Sequence, residues 1–338
     1  MIGIGKRAAR SACRTLLTCV TMFCADRLTA QELPRLPVER GVHKLTLVPN
    51  ERGVEVTVDG DQFASYETRN GHQPVIWPII GPGGQAMTRR FPLGEPAAGE
   101  KVDHPHHRSL WFNHGLVNGL DFWAEPPAND KGDPKNLIRH REFSIIGSGD
   151  GVAKLVAVND WLSDGKKVCE DERTILFGAD RHGRWIDVTV VVTASDGPLT
   201  FGDTKEGSFG IRVPGALAVD SKQGGEIRNS RGDRNDAAWG RAAEWVDYRG
   251  VVAGNKVGVA VFDMPDSFRH PTRWHVRTYG LFAANPFGDR DFPAGERAQG
   301  EAKLAQGEQL RLHYRVLLYS GELTPAELEA IYREYPAD

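Results

Sequence analysis

Residues 185–194 read WIDVTVVVTA, and this stretch decides the class of fold. One series in it is purely aliphatic and consists of Ile186, Val188, Val190 and Val192. Successive side chains of an extended chain point to opposite faces, so this series shares one face. Period-two alternation in β-branched residues is typical of a β-strand. The stretch therefore predicts a strand whose aliphatic face is buried in a core.

The same kind of pattern recurs along much of the chain. It is clearest at residues 310–319, and shorter runs occupy 54–58, 154–158 and 257–262. Turns that contain glycine, such as SGDG at 148–151, separate the runs. No helix pattern alternates with the strands, and no glycine motif for nucleotide phosphates is present. The sequence predicts a mainly β protein, built as a large antiparallel β-sandwich.

One helix is predicted, near the C-terminal end of the chain. Thr324 fits the N-cap, Pro325 the first helical position and Glu327 the capping box. Four apolar or aromatic residues follow at helical spacing: Leu328, Ile331, Tyr332 and Tyr335. We expect this short helix to dock on a sheet.

The charge balance narrows the range of partners. The 338 residues include 42 Lys and Arg and 45 Asp and Glu, which gives a formal net charge of −3. A mildly acidic chain without a block of basic residues argues against a nucleic-acid-binding surface. A membrane span needs about 20 apolar residues, and no such run occurs. We therefore expect neither a nucleic-acid partner nor a membrane span.

Residues 1–30 are predicted to be a secretory signal peptide. They have a basic beginning, a short apolar run at residues 16–25 and small residues before Gln31. A disordered basic N-terminus is the alternative. The signal peptide predicts a periplasmic or secreted protein, with a linker at residues 31–44 and a single β-sandwich domain at residues 45–338.

The first candidate site is the segment DHPHHRSLWFNHG at residues 103–115. It contains four of the eleven histidines of the chain: His104, His106, His107 and His114. Histidine titrates near neutral pH, binds metals and transfers protons. The segment indicates either an acid–base pair, with Arg108 holding an anionic group, or a metal site. The metal ligands would be His104, His106 and His114. The alternative is a rigid loop of hydrogen-bonded histidines.

The second candidate site is residues 203–212, where Lys205, Glu206 and Arg212 lie among glycines and aromatic residues. A carboxylate beside apolar residues is partly desolvated. Desolvation shifts its pKa and makes it usable as an acid or a base. A hairpin with a solvated salt bridge is the alternative interpretation.

The third candidate site is residues 269–280. If this segment is extended, His275, Arg277 and Tyr279 share one face, and Trp274 lies beside them. A cation-rich face with an aromatic ring suits the hydroxyls or carboxylates of a ligand. An exposed strand face without a ligand is the alternative.

Together the three segments predict a carbohydrate site. Aromatic rings stack on the C–H faces of sugars, while polar groups bind the hydroxyls. The expected ligand is therefore a small molecule or an oligosaccharide. The predicted ligand-binding residues are Arg108, Trp111, Trp123, Lys205, Arg212, Trp274, Arg277 and Tyr279.

Several segments also resemble a known bacterial family. They are WPIIGP at 77–82, DHPHHRSLWF at 103–112, GLDFW at 119–123, KEGSFGIR at 205–212 and residues 270–287. In this order they resemble the PmoA-like family, which carries the label methane oxygenase PmoA. Ser109 stands where the family more often has glycine.

The resemblance implies a fold similar to the galactose-mutarotase-like β-supersandwich, in exported proteins of unknown function. The methane-oxygenase label conflicts with this sequence, because a membrane-bound oxygenase subunit needs several apolar spans. In mutarotase-like proteins, histidines and a carboxylate on the sheet face act on the sugar. By analogy with that fold, His106, His114, His275 and Glu206 would fill these roles.

The main hypothesis is an enzyme that acts on a sugar or sugar derivative by proton transfer, as an epimerase, isomerase or lyase, without a cofactor. Glu206 is the expected general base, with His106 or His275 as the acid. The full set of predicted catalytic residues is His106, His107, His114, Glu206 and His275. A non-catalytic carbohydrate-binding module and a metal-dependent hydrolase or oxygenase, centred on residues 104–114, are the alternatives.

Overall fold

The computed structural model describes residues 42–130, 132–293 and 300–335. The predicted signal peptide and residues 31–41 of the predicted linker lie outside the described residues. Within the described ranges the first ten strands are β1 (Lys44–Asn50), β2 (Gly53–Val58), β3 (Asp61–Asn70), β4 (Gln73–Ile79), β5 (Leu110–His114), β6 (Asn136–Gly147), β7 (Gly149–Asp150), β8 (Val152–Ser163), β9 (Lys166–Asp180) and β10 (Gly183–Thr193).

The second half of the chain supplies nine more strands and the helices. The strands are β11 (Leu199–Phe201), β12 (Gly207–Arg212), β13 (Glu226–Asn229), β14 (Trp245–Val252), β15 (Asn255–Asp263), β16 (Trp274–Val276), β17 (Leu281–Ala284), β18 (Ala302–Leu304) and β19 (Gln309–Ser320). The α-helix is α1 (Pro325–Glu334), and the 3-10 helices are η1 (Gly215–Leu217), η2 (Val219–Ser221) and η3 (Asn235–Ala238).

Two large antiparallel sheets dominate the fold. The nine-stranded sheet has the order β16-β17-β12-β5-β4-β3-β2-β1-β7, and the eight-stranded sheet has the order β13-β14-β15-β19-β10-β9-β8-β6. Strands β11 and β18 form a separate pair. The predicted class, mainly β with large antiparallel sheets and a short C-terminal helix, is confirmed.

The stretch at residues 185–194 forms most of β10, an interior strand of the eight-stranded sheet. It pairs with β9 on one side and β19 on the other. Ile186, Val188 and Val190 are buried in the main core, together with residues from the nine-stranded sheet such as Phe209. Burying an aliphatic side chain contributes about 1.5–3 kcal/mol. The alternation in the sequence thus correctly predicted that the aliphatic face lies in the core, although side chains of the opposite face are buried as well.

The C-terminal helix docks on the outer face of the eight-stranded sheet, as expected. Leu328 and Ile331 pack there against Trp245 in a second apolar cluster. The predicted capping box is present, since the Thr324 hydroxyl accepts from the Glu327 N–H and the Glu327 carboxylate accepts from the Thr324 N–H.

A charged network is buried on the same outer face. His313 Nε2 lies 2.7 Å from Asp187 Oδ1, and its Nδ1 lies 2.7 Å from Asp266 Oδ1. Arg315 Nε also donates to Asp187. Burial by itself lowers the pKa of His313, but the hydrogen bonds and charges of the two carboxylates outweigh burial and raise this pKa above 6.5. Both ring nitrogens of His313 face carboxylate oxygens, which only accept, so this geometry favours the imidazolium form.

This network makes part of the stability dependent on pH. A histidine with a raised pKa stabilises the folded state while it is protonated, and that contribution is lost as pH rises through the folded-state pKa. We expect the unfolding free energy of the wild type to fall more steeply from about pH 6 to about pH 9 than that of His313→Gln. Urea denaturation at both pH values measures this, with His43→Gln, which removes a half-exposed histidine paired with Asp59, as control. Equal slopes in wild type and His313→Gln would contradict the expectation.

Candidate functional site

The three predicted segments meet on the outer face of the nine-stranded sheet. There His275, Ala283, Gly210 and Trp111 form one row across strands β16, β17, β12 and β5. Neighbouring strands lie about 4.8 Å apart, so this row spans about 14 Å. A Cβ atom on Gly210 would come within 2.5 Å of the Trp111 ring. Glycine therefore leaves the room that this indole occupies beside β12.

A stack of rings covers the Trp111 end of the row. The ring of His104 lies 4.8 Å from that of His107 and 5.1 Å from that of Tyr279, with nearly parallel planes. His107 also stacks on Trp111 at 5.5 Å, and the ring of His106 meets His107 edge-on at 4.4 Å. The histidine segment thus lies on the sheet face and joins the loop that carries Tyr279.

At Ser109 the backbone turns from the histidine segment to the start of β5. Its φ is +58°, in the left-handed region that favours glycine. Its hydroxyl donates to the Thr88 hydroxyl at 2.8 Å. The backbone conformation gives a physical reason for the glycine that the family resemblance led us to expect at this position.

A buried arginine holds His107 in one tautomer. Arg212 places Nη1 2.9 Å from His107 Nδ1 and donates from Nη2 to Asp103 at 2.8 Å. An arginine only donates, so His107 Nδ1 accepts and the proton of the neutral ring is on Nε2. Burial, followed by the charges of His106 and Arg212, lowers the pKa of His107 well below 6.5. At neutral pH His107 is an uncharged Nε2–H donor.

His275 has the opposite tautomer. Its Nδ1 lies 2.7 Å from the carbonyl oxygen of Lys205. A carbonyl only accepts, so Nδ1 carries the proton and Nε2 of the neutral ring has a free lone pair. Burial lowers the pKa of His275 to about 4, although the charge of Glu206 opposes this shift. At neutral pH His275 therefore offers an acceptor.

The charge of Glu206 acts on groups at both ends of the row. Its carboxylate is 38% exposed and forms an ion pair with Lys205 at 2.9 Å. The same charge acts on His106, on His275 and on Tyr279. We call the surface that carries His106, His107, Glu206, His275, Arg277 and Tyr279 the site face. It combines the partly exposed carboxylate of Glu206 with a neutral donor and a neutral acceptor on two largely buried rings, His107 and His275.

The burial and the tautomers of these histidines predict how they titrate and which ring nitrogen is protonated in NMR spectra. Burial also lowers the pKa of His106 to about 4. We expect none of His106, His107 and His275 to titrate between about pH 5.5 and pH 8, where a free histidine does. Long-range ¹H–¹⁵N spectra should report Nε2–H for His107 and Nδ1–H for His275. Replacing Arg212 with Gln should allow His107 to exchange between tautomers. A wild-type His107 that titrates near pH 6.5 would refute the assignment.

The three predicted tryptophans and Arg108 lie away from the site face or beneath it. Trp111 and Trp123 are buried, with their rings 5.4 Å apart, and they support the histidine rings from below. Trp274 is in the main core, where its Nε1 donates to the Ala243 carbonyl. The Arg108 guanidinium donates to Glu125 and to Asn70 at the end of β3.

His114 points to the opposite side of the nine-stranded sheet. Its Nε2 lies 2.8 Å from the Gly202 carbonyl, and its ring packs against Phe201 and Phe287 of the main core. A Cβ atom on Gly207 would come within 2.3 Å of the His114 ring. The structure therefore does not bring His114 together with His104 and His106.

Three residues of this region were not predicted from the sequence. Arg89 is buried and donates to Asp103 at 2.5 Å, alongside Arg212. Trp239 lies 6.4 Å from His275, and Phe292 packs against both rings. These residues lie in loops outside the three segments. No local pattern distinguishes them, so no signal in the sequence would have found them.

Two kinds of feature are absent from the described residues. Within residues 42–130, 132–293 and 300–335, no three His, Cys, Asp or Glu side chains come together in a way that would hold a metal ion. No helix in the described part of the chain has the length and apolar character needed to cross a membrane.

A family comparison matches residues 53–333 to the family of unknown function DUF6807. The chain belongs to the DUF6807 family. This description makes no reference to methane oxidation, so the methane-oxygenase label finds no support. A sequence comparison of the DUF6807 chain with curated proteins gives no match.

Solved structures similar to the DUF6807 chain include three with carbohydrate-related descriptions. A heparan sulfate lyase mutant from Pedobacter heparinus has 8% identity and a TM-score of 0.34, covering 85% of this chain and 38% of the lyase. A galactose mutarotase-like protein from Lactobacillus casei has 10% identity and a TM-score of 0.32, covering 81% of this chain and 100% of that protein. A putative aldose 1-epimerase from Escherichia coli has 10% identity and a TM-score of 0.34, covering 82% of this chain and 100% of that one. Similarities at this level assign no activity to the DUF6807 chain.

Proposed function

We propose that this DUF6807 protein acts on a sugar or sugar derivative by acid–base proton transfer, without a cofactor in that step. The observation that supports the proposal is the meeting of His107, Glu206 and His275 on one face from three distant segments. A carboxylate, a fixed N–H donor and a fixed lone pair are the groups that move a proton and stabilise the charge it leaves behind.

In the proposed step, Glu206 takes a proton from a carbon next to a carbonyl. His107 Nε2–H donates a hydrogen bond to the oxygen that gains negative charge. The free lone pair of His275 Nε2 accepts from a hydroxyl of the sugar. His275 was expected as an acid, but its tautomer and lowered pKa suit an acceptor better, and His107 takes the donor role. Epimerases, isomerases and lyases share this step.

Two experiments test the proposal in sequence. A thermal-shift screen of sugars and keto-sugars identifies ligands, because binding raises the melting temperature by mass action. Proton NMR in D₂O then follows exchange at each carbon of the ligand. We expect exchange at one carbon only, reduced about 100-fold in His107→Gln. The control His43→Gln should exchange like wild type.

The outcomes of these experiments separate the hypotheses. Ligand binding without proton exchange would replace the proposal with a non-catalytic carbohydrate-binding module. Tyr279 and Trp239, the partly exposed rings beside Arg277, would then be the residues whose loss weakens binding most. No binding by any sugar would remove both interpretations.

We also propose that the protein is exported to the periplasm or secreted. The support is the basic beginning and short apolar run of residues 1–30. Expression of the full chain in a bacterium, with N-terminal sequencing of the product, tests this. A cytoplasmic product that keeps Met1 would contradict the proposal.

A further inference from the structure

Arg277 is held on the site face in an unusual electrostatic setting. It follows β16, and its backbone N–H lies 3.0 Å from the Tyr248 hydroxyl and 2.8 Å from the Leu281 carbonyl. Its guanidinium lies over two rings, 5.8 Å from the centre of Trp239 and 5.7 Å from the centre of Tyr279. Ring contacts use the face of a guanidinium and leave its in-plane N–H donors unused.

The other cations of this region all have carboxylate partners. Lys205 pairs with Glu206, while Arg89 and Arg212 share Asp103. Arg277 has no Asp or Glu within ion-pair distance among the described residues. Among these four cations, Arg277 is the one whose charge has no carboxylate partner in the described residues.

The neighbouring histidines do not offset the positive charge of Arg277. His107 and His275 are neutral because burial lowers the pKa of both rings. The charge of Arg277 acts on both His275 and Tyr279, so Arg277 belongs to the same face as the proposed catalytic groups. A partly buried cation with free donors is complementary to an anionic group that the ligand brings.

We propose that the ligand is a sugar acid, such as a uronate, and that its carboxylate binds the Arg277 guanidinium. This inference rests on the proposed function and specifies its class of substrate. A carboxylate forms two parallel hydrogen bonds with a guanidinium, which positions the sugar as well as attracting it. The rest of the sugar would then face Glu206, His107 and His275.

The test compares matched ligands on the full protein. Isothermal titration measures binding of D-glucuronate and D-galacturonate against D-glucose and D-galactose, at constant ionic strength, with acetate as a carboxylate without a sugar. We expect the uronates to bind at least about 10-fold more tightly than the neutral sugars. In Arg277→Gln the uronate affinity should fall about 10- to 100-fold, while neutral-sugar affinity changes less than about threefold.

Two further variants show where the effect arises. Arg277→Lys keeps the charge but not the paired donors, so it should retain part of the preference for uronates. Arg333→Gln removes an exposed arginine that pairs with Glu329 on α1, and it should leave the preference intact. Circular dichroism and the melting temperature without ligand confirm that each variant is folded.

The possible results distinguish this inference from the proposed function. Equal binding of uronates and neutral sugars, or a preference that survives in Arg277→Gln, would overturn the role of Arg277 and leave the sugar proposal standing. Binding of acetate as tightly as uronate would overturn the sugar-acid assignment. Failure of every sugar in the series to bind would overturn this inference, whereas the proposed function is decided by the wider sugar screen.

Discussion

Replacing Asp171 with Asn is expected to lower the free energy of unfolding by about 3–5 kcal/mol, because it leaves a buried guanidinium without its counter-charge. Asp171 is completely buried in β9 on the inner face of the sheet. Its carboxylate accepts from Arg173 at 2.9 and 3.0 Å, and also from Trp161 Nε1 and Asn159 Nδ2. Arg173 donates in addition to the Phe112 carbonyl of β5, so the pair connects the two large sheets.

Urea denaturation of Asp171→Asn, Arg173→Met and the double variant measures this effect. Each single variant leaves one unmatched charge or acceptor, whereas the double variant removes the guanidinium and the carboxylate charge together. The loss in the double variant should therefore be smaller than the sum of the two single losses. A loss below about 1 kcal/mol in Asp171→Asn would show that the buried pair contributes little.

Replacing Glu206 with Gln is expected to lower kcat on a sugar substrate by about 1,000-fold, while KM changes only a few-fold. The amide keeps the shape of the side chain but is not a base. The expectation rests on the position of the carboxylate, whose charge reaches His275 and Tyr279. Steady-state kinetics on the sugar identified by the screen measures it.

Two controls separate the base from its ion pair. Lys205→Met removes the partner of Glu206 but leaves the carboxylate, so kcat should fall far less than in Glu206→Gln. Glu142→Gln changes an exposed carboxylate on β6 and should have no effect on turnover. If Lys205→Met lost as much kcat as Glu206→Gln, the ion pair and not proton removal would explain the result.

Much of the fold was predictable because strand patterns are local. The alternation at residues 310–319 correctly placed Leu312, Tyr314 and Val316 in the core. The same reasoning did not predict that Asp187, on the opposite face of β10, is buried. That burial depends on His313 and Arg315 of β19, whose side chains come from more than 120 residues away.

The site was predictable only in part, and for a related reason. Residue types indicated the three segments, and the structure brings His106, His107, Glu206 and His275 to one face. The direction of the His114 side chain was not predictable, because it depends on which face of β5 lies against the core. His114 is on the same face of β5 as Phe112, which is buried in the core. Trp274 was misleading for the same reason, since it alternates with His275 along β16.

The sequence by itself determined the mainly β class, the buried faces of the long strands and the capped terminal helix, because each follows from residues close together in the chain. The tertiary structure alone decided the chemical state of the site. The proton of His107 is placed by Arg212 of β12, and that of His275 by the carbonyl of Lys205. The ring contacts of Arg277 depend on Trp239 from the loop after η3. Hydrogen bonding and burial between distant segments set these properties, and no spacing along the chain records them.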